Sequence, residues 1–191
     1  AKSVIEKTGS LAKSGKIYYT GSPMLVTYIS DLMKNDFIRL LPFAFLLITV
    51  ILFLSFRSFG GVFFPLLSAV IAILWSLGTM SLLGIELSMI SNNIPIILLA
   101  IGTAYTIHVV NRVNQLDDPD RKVAIRKALG FVMIPVILSA LTTMIGFLSF
   151  IFGSYLKMIA IFGIFTALGT FFACLMSIFF IPALLSFIKP K

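Results

Sequence analysis

Long apolar stretches separated by short polar connections dominate the chain. Each stretch reaches the roughly 20 residues that an α-helix needs to cross a hydrocarbon core about 30 Å thick. The stretches lack the alternating polarity of transmembrane β-strands. The pattern therefore predicts an all-α integral membrane protein with five transmembrane helices. The predicted spans are residues 38–56, 61–84, 94–113, 129–152 and 158–188.

The composition argues against a soluble globular protein and against a nucleic-acid binder. Hydrophobic residues make up 59% of the chain and charged residues 12%, whereas soluble domains are about 45–50% apolar and about 25% charged. The net charge of +8 does not indicate a nucleic-acid binder, because the basic residues flank apolar stretches. Cys174 lies inside an apolar stretch and is the only cysteine, so an internal disulfide is excluded.

The distribution of basic residues predicts the orientation. Most basic residues near the spans fall on one side of the predicted bundle, at Arg57, Arg112, 121–127 and the C-terminus. Lysine and arginine in short loops mark the cytoplasmic face. We therefore expect a plasma (inner) membrane protein with a cytoplasmic C-terminus and an extracytoplasmic N-terminus. Residues 1–37 are predicted to end an external segment, with helix starts at 30–31 or 35–36. Because no signal peptide is evident, we expect an upstream span in a longer protein.

The connection 114–128 carries acids first and bases later, which suits a short helix through its macrodipole. It is predicted to be an amphipathic helix on the cytoplasmic surface, starting near Pro119. A metal site at Asp117, Asp118 and Asp120 is the sharper alternative, but charge runs commonly form solvated faces. Metalloprotease and serine-hydrolase motifs are absent from the sequence. We therefore expect no enzyme, no metal and no cofactor.

The third span, IPIILLAIGTAYTIHVVNRV, is the most polar of the five. Tyr105, His108 and Asn111 share one face at helical spacing, and polar groups inside hydrocarbon usually mark function. We expect this face to turn toward protein. His108 is either a functional group or a histidine that is hydrogen-bonded to a neighbouring helix. Further candidates are hydrogen-bonding hydroxyls (Thr103, Thr106, Thr142 and Thr143) and helix-packing residues (Gly102, Ala104 and Gly146).

The same span resembles a known signature. Exporters of the resistance-nodulation-division superfamily, and above all their MmpL-like and hydrophobe-exporter branches, have a fourth helix with the pattern G-x-D-Y-x-I-H followed by arginine. The matching residues here are Gly102, Tyr105, Ile107, His108 and Arg112. Thr142-Thr143 with Gly146-Phe147 resembles the T-T-x-x-G-F pattern, and IPALLSF at 181–187 resembles the end of the sixth helix.

This resemblance implies helices two to six of one half of a twelve-helix exporter. The cargo would be a lipid or another hydrophobic molecule, and His108, Tyr105 and the four threonines would form a proton relay. Ala104 stands where many relatives carry the proton-binding aspartate, so proton coupling stays open. The implied partners are membrane lipids and either the remaining half or a second copy of the chain. Five such helices also resemble a sterol-sensing domain, so lipid binding without transport, or a fragment inactive alone, is the alternative.

Overall fold

The computed structural model describes residues 21–116 and 120–187, and its regular structure there is entirely helical. Five helical spans are long and apolar enough to cross a membrane, which confirms the all-α membrane fold. The helices are α1 (Ser22–Phe56), α2 (Phe59–Leu82), α3 (Ile94–Gln115), α4 (Arg121–Leu148), the short α5 (Phe150–Gly153), α6 (Lys157–Leu175) and α7 (Ile181–Ser186). A 3₁₀ turn (Ser91–Asn93) precedes α3, and a π-helical segment (Met176–Phe180) joins α6 to α7.

Helix α1 is already formed at Ser22, well before the predicted span. The expected helix starts at Ser30-Asp31 and Asn35-Asp36 are wrong, because all four residues lie inside α1. A capping side chain starts a helix only where backbone amides lack partners, and inside a continuous helix they have them. Among the described residues, those up to Leu41 belong to one compact unit and those from Pro42 onward to a second. Residues 1–20 of the predicted external segment lie outside the described residues.

The turn between α1 and α2 is fixed by local hydrogen bonding. Arg57 adopts a left-handed conformation with a φ of 47°, and Ser58 caps α2 by accepting a hydrogen bond from the amide of Gly61 at 3.2 Å. Gly84, with a φ of 66°, follows the other end of α2. A left-handed residue after a helix is a common way to end it.

The connection predicted as a separate surface helix over 114–128 divides differently. Helix α3 extends to Gln115, and α4 begins at Arg121 and continues through the fourth span. Asp120 caps α4 by accepting a hydrogen bond from the amide of Lys122 at 2.9 Å. The basic segment that follows Asp120 and the apolar fourth span therefore form one continuous helix, from Arg121 to Leu148. Asp117, Asp118 and Pro119 lie outside the described residues.

The core of the second unit lies between α2, α3 and α6. The most apolar part of α3 and of the last span is 56% buried, against 11% for the α4 span. At the Gly84 end Met80, Leu98 and Phe165 pack together. At the opposite end, which carries Arg57 and Arg121, the cluster includes Phe64, Val110, Ala128 and Ile181. Helix α3 therefore runs antiparallel to α2 and α4 and parallel to α6, with neighbours on most of its surface.

Candidate functional site

Close packing surrounds Gly102 in the middle of α3. A Cβ atom built on Gly102 would lie 3.0 Å from both the Cα and the Cβ of Ala69 on α2, and 3.6 Å from the Cβ of Ala173 on α6. Only glycine fits here without moving a neighbouring backbone. This is the close approach that small residues allow between membrane helices.

Two buried hydroxyls join α2 to α3 one turn further along. Ser68 and Thr106 share a hydrogen bond of 2.6 Å between their oxygens, and both side chains are fully buried. Thr103 is also buried, but its hydroxyl donates within its own helix to the carbonyls of Leu99 at 2.8 Å and Ala100 at 3.0 Å. Of the two candidate threonines on α3, Thr106 therefore forms the contact between helices.

Tyr105 points into the bundle and is 5% exposed. Its ring packs in a cluster with Val136 and Ala140 of α4 and with Cys174 and Ile178 on the last span. The phenol oxygen has no hydrogen bond of normal length to the described residues. Thr143 and Ser139 of α4 are its polar neighbours. Tyr105 is thus a polar group held against α4 in an otherwise apolar environment.

His108 lies on a different side of α3. Ala100, Ala104, His108 and Asn111 are all exposed on this chain, and their spacing of four, four and three residues places them along one stripe. We call these four residues the α3 stripe. Within this chain Tyr105 and His108 do not share a packed surface, in contrast to the expectation from their spacing. A separation of three residues rotates the helix enough to place one side chain in the core and the other beside it.

The candidates on α4 are less enclosed. Thr142 is exposed and Thr143 is half-buried, and both hydroxyls donate to the carbonyl of Ser139, at 2.9 and 2.8 Å. Gly146 is exposed, and a Cβ atom built on it would meet no atom within 4 Å in the part of the chain that the structure describes. Among the α4 candidates, Thr143 is the one that lies near Tyr105.

The arginine of the signature closes the polar end of α3. The guanidinium of Arg112 lies over the ring of Phe131 on α4, 4.6 Å from the ring centroid. It also donates to the side-chain oxygen of Gln115 at 3.3 Å. A cation above an aromatic face is attracted by the ring quadrupole. Arg112 therefore contributes to holding α3 against α4 near the basic end of the bundle.

The sequence analysis did not single out two buried serines of α2. Ser68 contacts Thr106, and Ser76 donates to the carbonyl of Phe165 on α6 at 2.8 Å. Ser68, Ala72 and Ser76 recur every four residues and are all fully buried. That spacing of small residues was a usable signal for a packed helix face. Length and hydrophobicity, on which the prediction of the second span rests, do not reveal it.

A groove lies at the Gly84 end of the bundle. It has a volume of about 360 Å³, and its lining includes Leu77, Met80 and Ile85 with Glu86 as the charged member. The walls are mainly apolar, so the groove suits a hydrophobic group rather than a polar one. No group of three or more potential metal ligands is found among residues 21–116 and 120–187.

Five helical spans are long and apolar enough to cross a membrane, and the third carries a buried phenol and an exposed polar stripe. The described fold is that of an α-helical membrane protein. The chain belongs to the MMPL family, whose model matches residues 2–190. This membership confirms the resemblance to MmpL-like exporters and makes the chain a membrane module of a transporter family.

A curated relative is similar over most of the chain. The chain is 31% identical over 175 residues to MJ1562 of Methanocaldococcus jannaschii, which is named as a membrane protein. The matched region covers 89% of this chain but only 44% of that relative. The chain thus spans less than half the length of the relative.

Proposed function

We propose that the chain is one half of a membrane exporter that moves a lipid or another hydrophobic molecule. The observation that carries this proposal is the α3 stripe. It leaves an imidazole and an amide exposed on a helix whose other sides are packed. Polar groups of this kind are costly against lipid. A further set of helices, rather than acyl chains, is therefore the favoured neighbour of the stripe.

The neighbour is either the remaining half of a longer transporter or a second copy of this chain. Internal repeats are common in transporters, and their sites lie where the repeats meet. The small residues Ala100 and Ala104 allow a helix to approach closely, and His108 and Asn111 offer hydrogen bonds to it. The α3 stripe then becomes the centre of the assembled transporter. The apolar groove beside Glu86 is a candidate contact for the hydrophobic cargo.

Proton coupling is the energy source that the family resemblance favours. The position of the family aspartate is held by Ala104, which has no titratable group. Histidine can change its charge near neutral pH, so His108 is the substitute that we propose. Further hydroxyls lie on α3, at Tyr105, Thr103 and Thr106, and on α4, at Thr142 and Thr143. The relay would run between the buried phenol and the stripe.

A proton-flux assay tests this proposal. The protein is reconstituted into liposomes that enclose a pH-sensitive dye, and a proton gradient is imposed. We expect flux above that of empty liposomes, its loss in His108→Ala, and a reduced rate in Tyr105→Phe. Asn114→Ala is the matched control, because Asn114 is also an exposed polar residue of α3 but lies near the end of the helix, well away from His108 along and around it. Equal flux in His108→Ala and in the unmodified protein would contradict the assignment of His108.

A lipid-sensing module is the second candidate, and Ala104 is the observation that favours it. Without the family acid, the helices could bind a sterol-like lipid and respond to it without transport. In that case the liposomes would show saturable lipid binding but no proton flux at any pH. Lipid binding and flux measured on the same preparation therefore separate the two candidates.

A further inference from the structure

Three hydroxyl side chains from three different segments lie deep in the bundle. Ser68 of α2, Thr106 of α3 and Ser177 of the π-helical segment are all fully buried. The oxygens of Ser68 and Thr106 are 2.6 Å apart. Ser177 has no hydrogen-bond partner for its Oγ among the described residues.

The register between α3 and the last span places Ser177 at the level of Thr106. The two segments run parallel. Gly169 lies against Leu98 and Ala173 lies against Gly102, and Val110 and Ile181 belong to one hydrophobic cluster, so the same offset in residue number relates all three pairs. Thr106 and Ser177 occupy the step between the second and third of these pairs. This register places the three hydroxyls at the same level of the bundle.

Ser177 differs from the other buried hydroxyls of its span. Thr166 and Thr170 donate to the carbonyls four residues earlier, at 2.6 and 2.8 Å. In the next turn the helix changes to π geometry, and the amide of Ile181 donates to the carbonyl of Met176. Residue 182 is proline, so the carbonyl of Ile178 loses the amide that an α-helix would offer it. An unpaired buried hydroxyl thus lies within one turn of a carbonyl whose usual α-helical donor is replaced by proline.

Such groups are costly in a membrane interior unless something pairs with them. Breaks at proline in membrane helices are tolerated because serine and threonine side chains and ordered waters satisfy the freed backbone groups. A buried water typically makes about three hydrogen bonds. We propose that one water molecule is bound between α2, α3 and the π-helical segment, held by the hydroxyls of Ser177 and Thr106 and by the carbonyl of Ile178.

The site is uncharged and consists of two hydroxyls, which both donate and accept, and one carbonyl, which accepts. Hydroxyls of serine and threonine each offer one donor and two acceptor positions, which suits water. No carboxylate belongs to this set of residues, whereas bound cations are commonly held by carboxylates. The water links three helices at the point where the last span changes its geometry. This inference does not depend on the transport proposal.

Water-edited solid-state NMR of the isotope-labelled protein in lipid bilayers tests it. We expect magnetisation from water to reach the Cβ atoms of Ser177 and Thr106 several-fold faster than those of Thr166 and Thr170. The latter two are the matched controls, since they are equally buried but their hydroxyls donate to backbone carbonyls of their own helix. In Ser177→Ala the fast transfer to Thr106 should be lost, and in Ser177→Thr it should remain.

Two results would overturn the proposal. Magnetisation transfer from water to Ser177 that is as slow as transfer to Thr166 would show that no water is bound at this site. Chemical shifts of Ser177 and Thr106 that change when Na⁺ is replaced by K⁺ would show that a cation occupies the site in place of water. The transfer rates to Ser177 and Thr166 are compared within the unmodified protein, so they show whether water is bound even if Ser177→Ala fails to fold.

Discussion

Two glycines of the family-like patterns have different surroundings. A methyl group at Gly102 would lie 3.0 Å from the backbone of Ala69, whereas at Gly146 it would meet nothing within 4 Å in the described residues. Gly102→Ala should therefore lower the free energy of unfolding by about 1–3 kcal/mol, because α2 must shift to accept the methyl. Reversible unfolding in mixed micelles measures the change.

Gly146→Ala is the control for that prediction, since both positions are helical. Alanine is favoured over glycine within a helix by about 1 kcal/mol, so this variant should be as stable as the unmodified protein or slightly more so. Similar losses in both variants would mean that the contact with Ala69 does not distinguish the two positions. The sequence predicts that both glycines are packing residues, because both lie in patterns of small residues. Only the position of the neighbouring helix separates them.

At the scale of helices, the hydroxyl pair between α2 and α3 has a measurable energy. A double-mutant cycle with Ser68→Ala and Thr106→Val should give a coupling of about 0.6 kcal/mol and at most about 1.7 kcal/mol, the range for hydrogen bonds between membrane helices. The same cycle with Thr166→Val in place of Thr106→Val should be additive within about 0.5 kcal/mol. Thr166 bonds within its own helix. Equal coupling in the two cycles would contradict the assignment.

The helices show what hydrophobicity could and could not predict. Apolar length identified all five spans, because burying about 20 residues in hydrocarbon requires it. The ends were missed where hydrogen bonding decides them. Asp120 caps α4 and makes the basic segment part of a long helix, and α1 passes through polar residues without a break. Such ends depend on which backbone amides already have partners, which hydrophobicity does not reveal.

At the scale of the whole molecule, the sequence identified the polar residues of α3 but not their surroundings. Tyr105 is enclosed by α4 and the last span, while His108 and Ala104 face outward from the bundle. Spacing along a helix fixes the angle between two side chains. It does not fix which neighbours lie at each angle, because these depend on helices far away in the sequence. The contact between Ser68 and Thr106 is of the same kind.

The outward direction of the α3 stripe leads to a prediction about assembly. If two copies associate through a two-fold axis, residues near that axis meet their own counterparts, and Ala104 is the small residue at the middle of the stripe. In a Cys174→Ala background, which removes the only native cysteine, Ala104→Cys should form a disulfide-linked dimer under mild oxidation in membranes. Leu54→Cys is the control, because Leu54 is 70% exposed on α1 and should contact lipid. Dimer formation at position 54 equal to that at position 104 would reflect random collision. The stripe would then need another neighbour, such as the remaining half of a longer transporter.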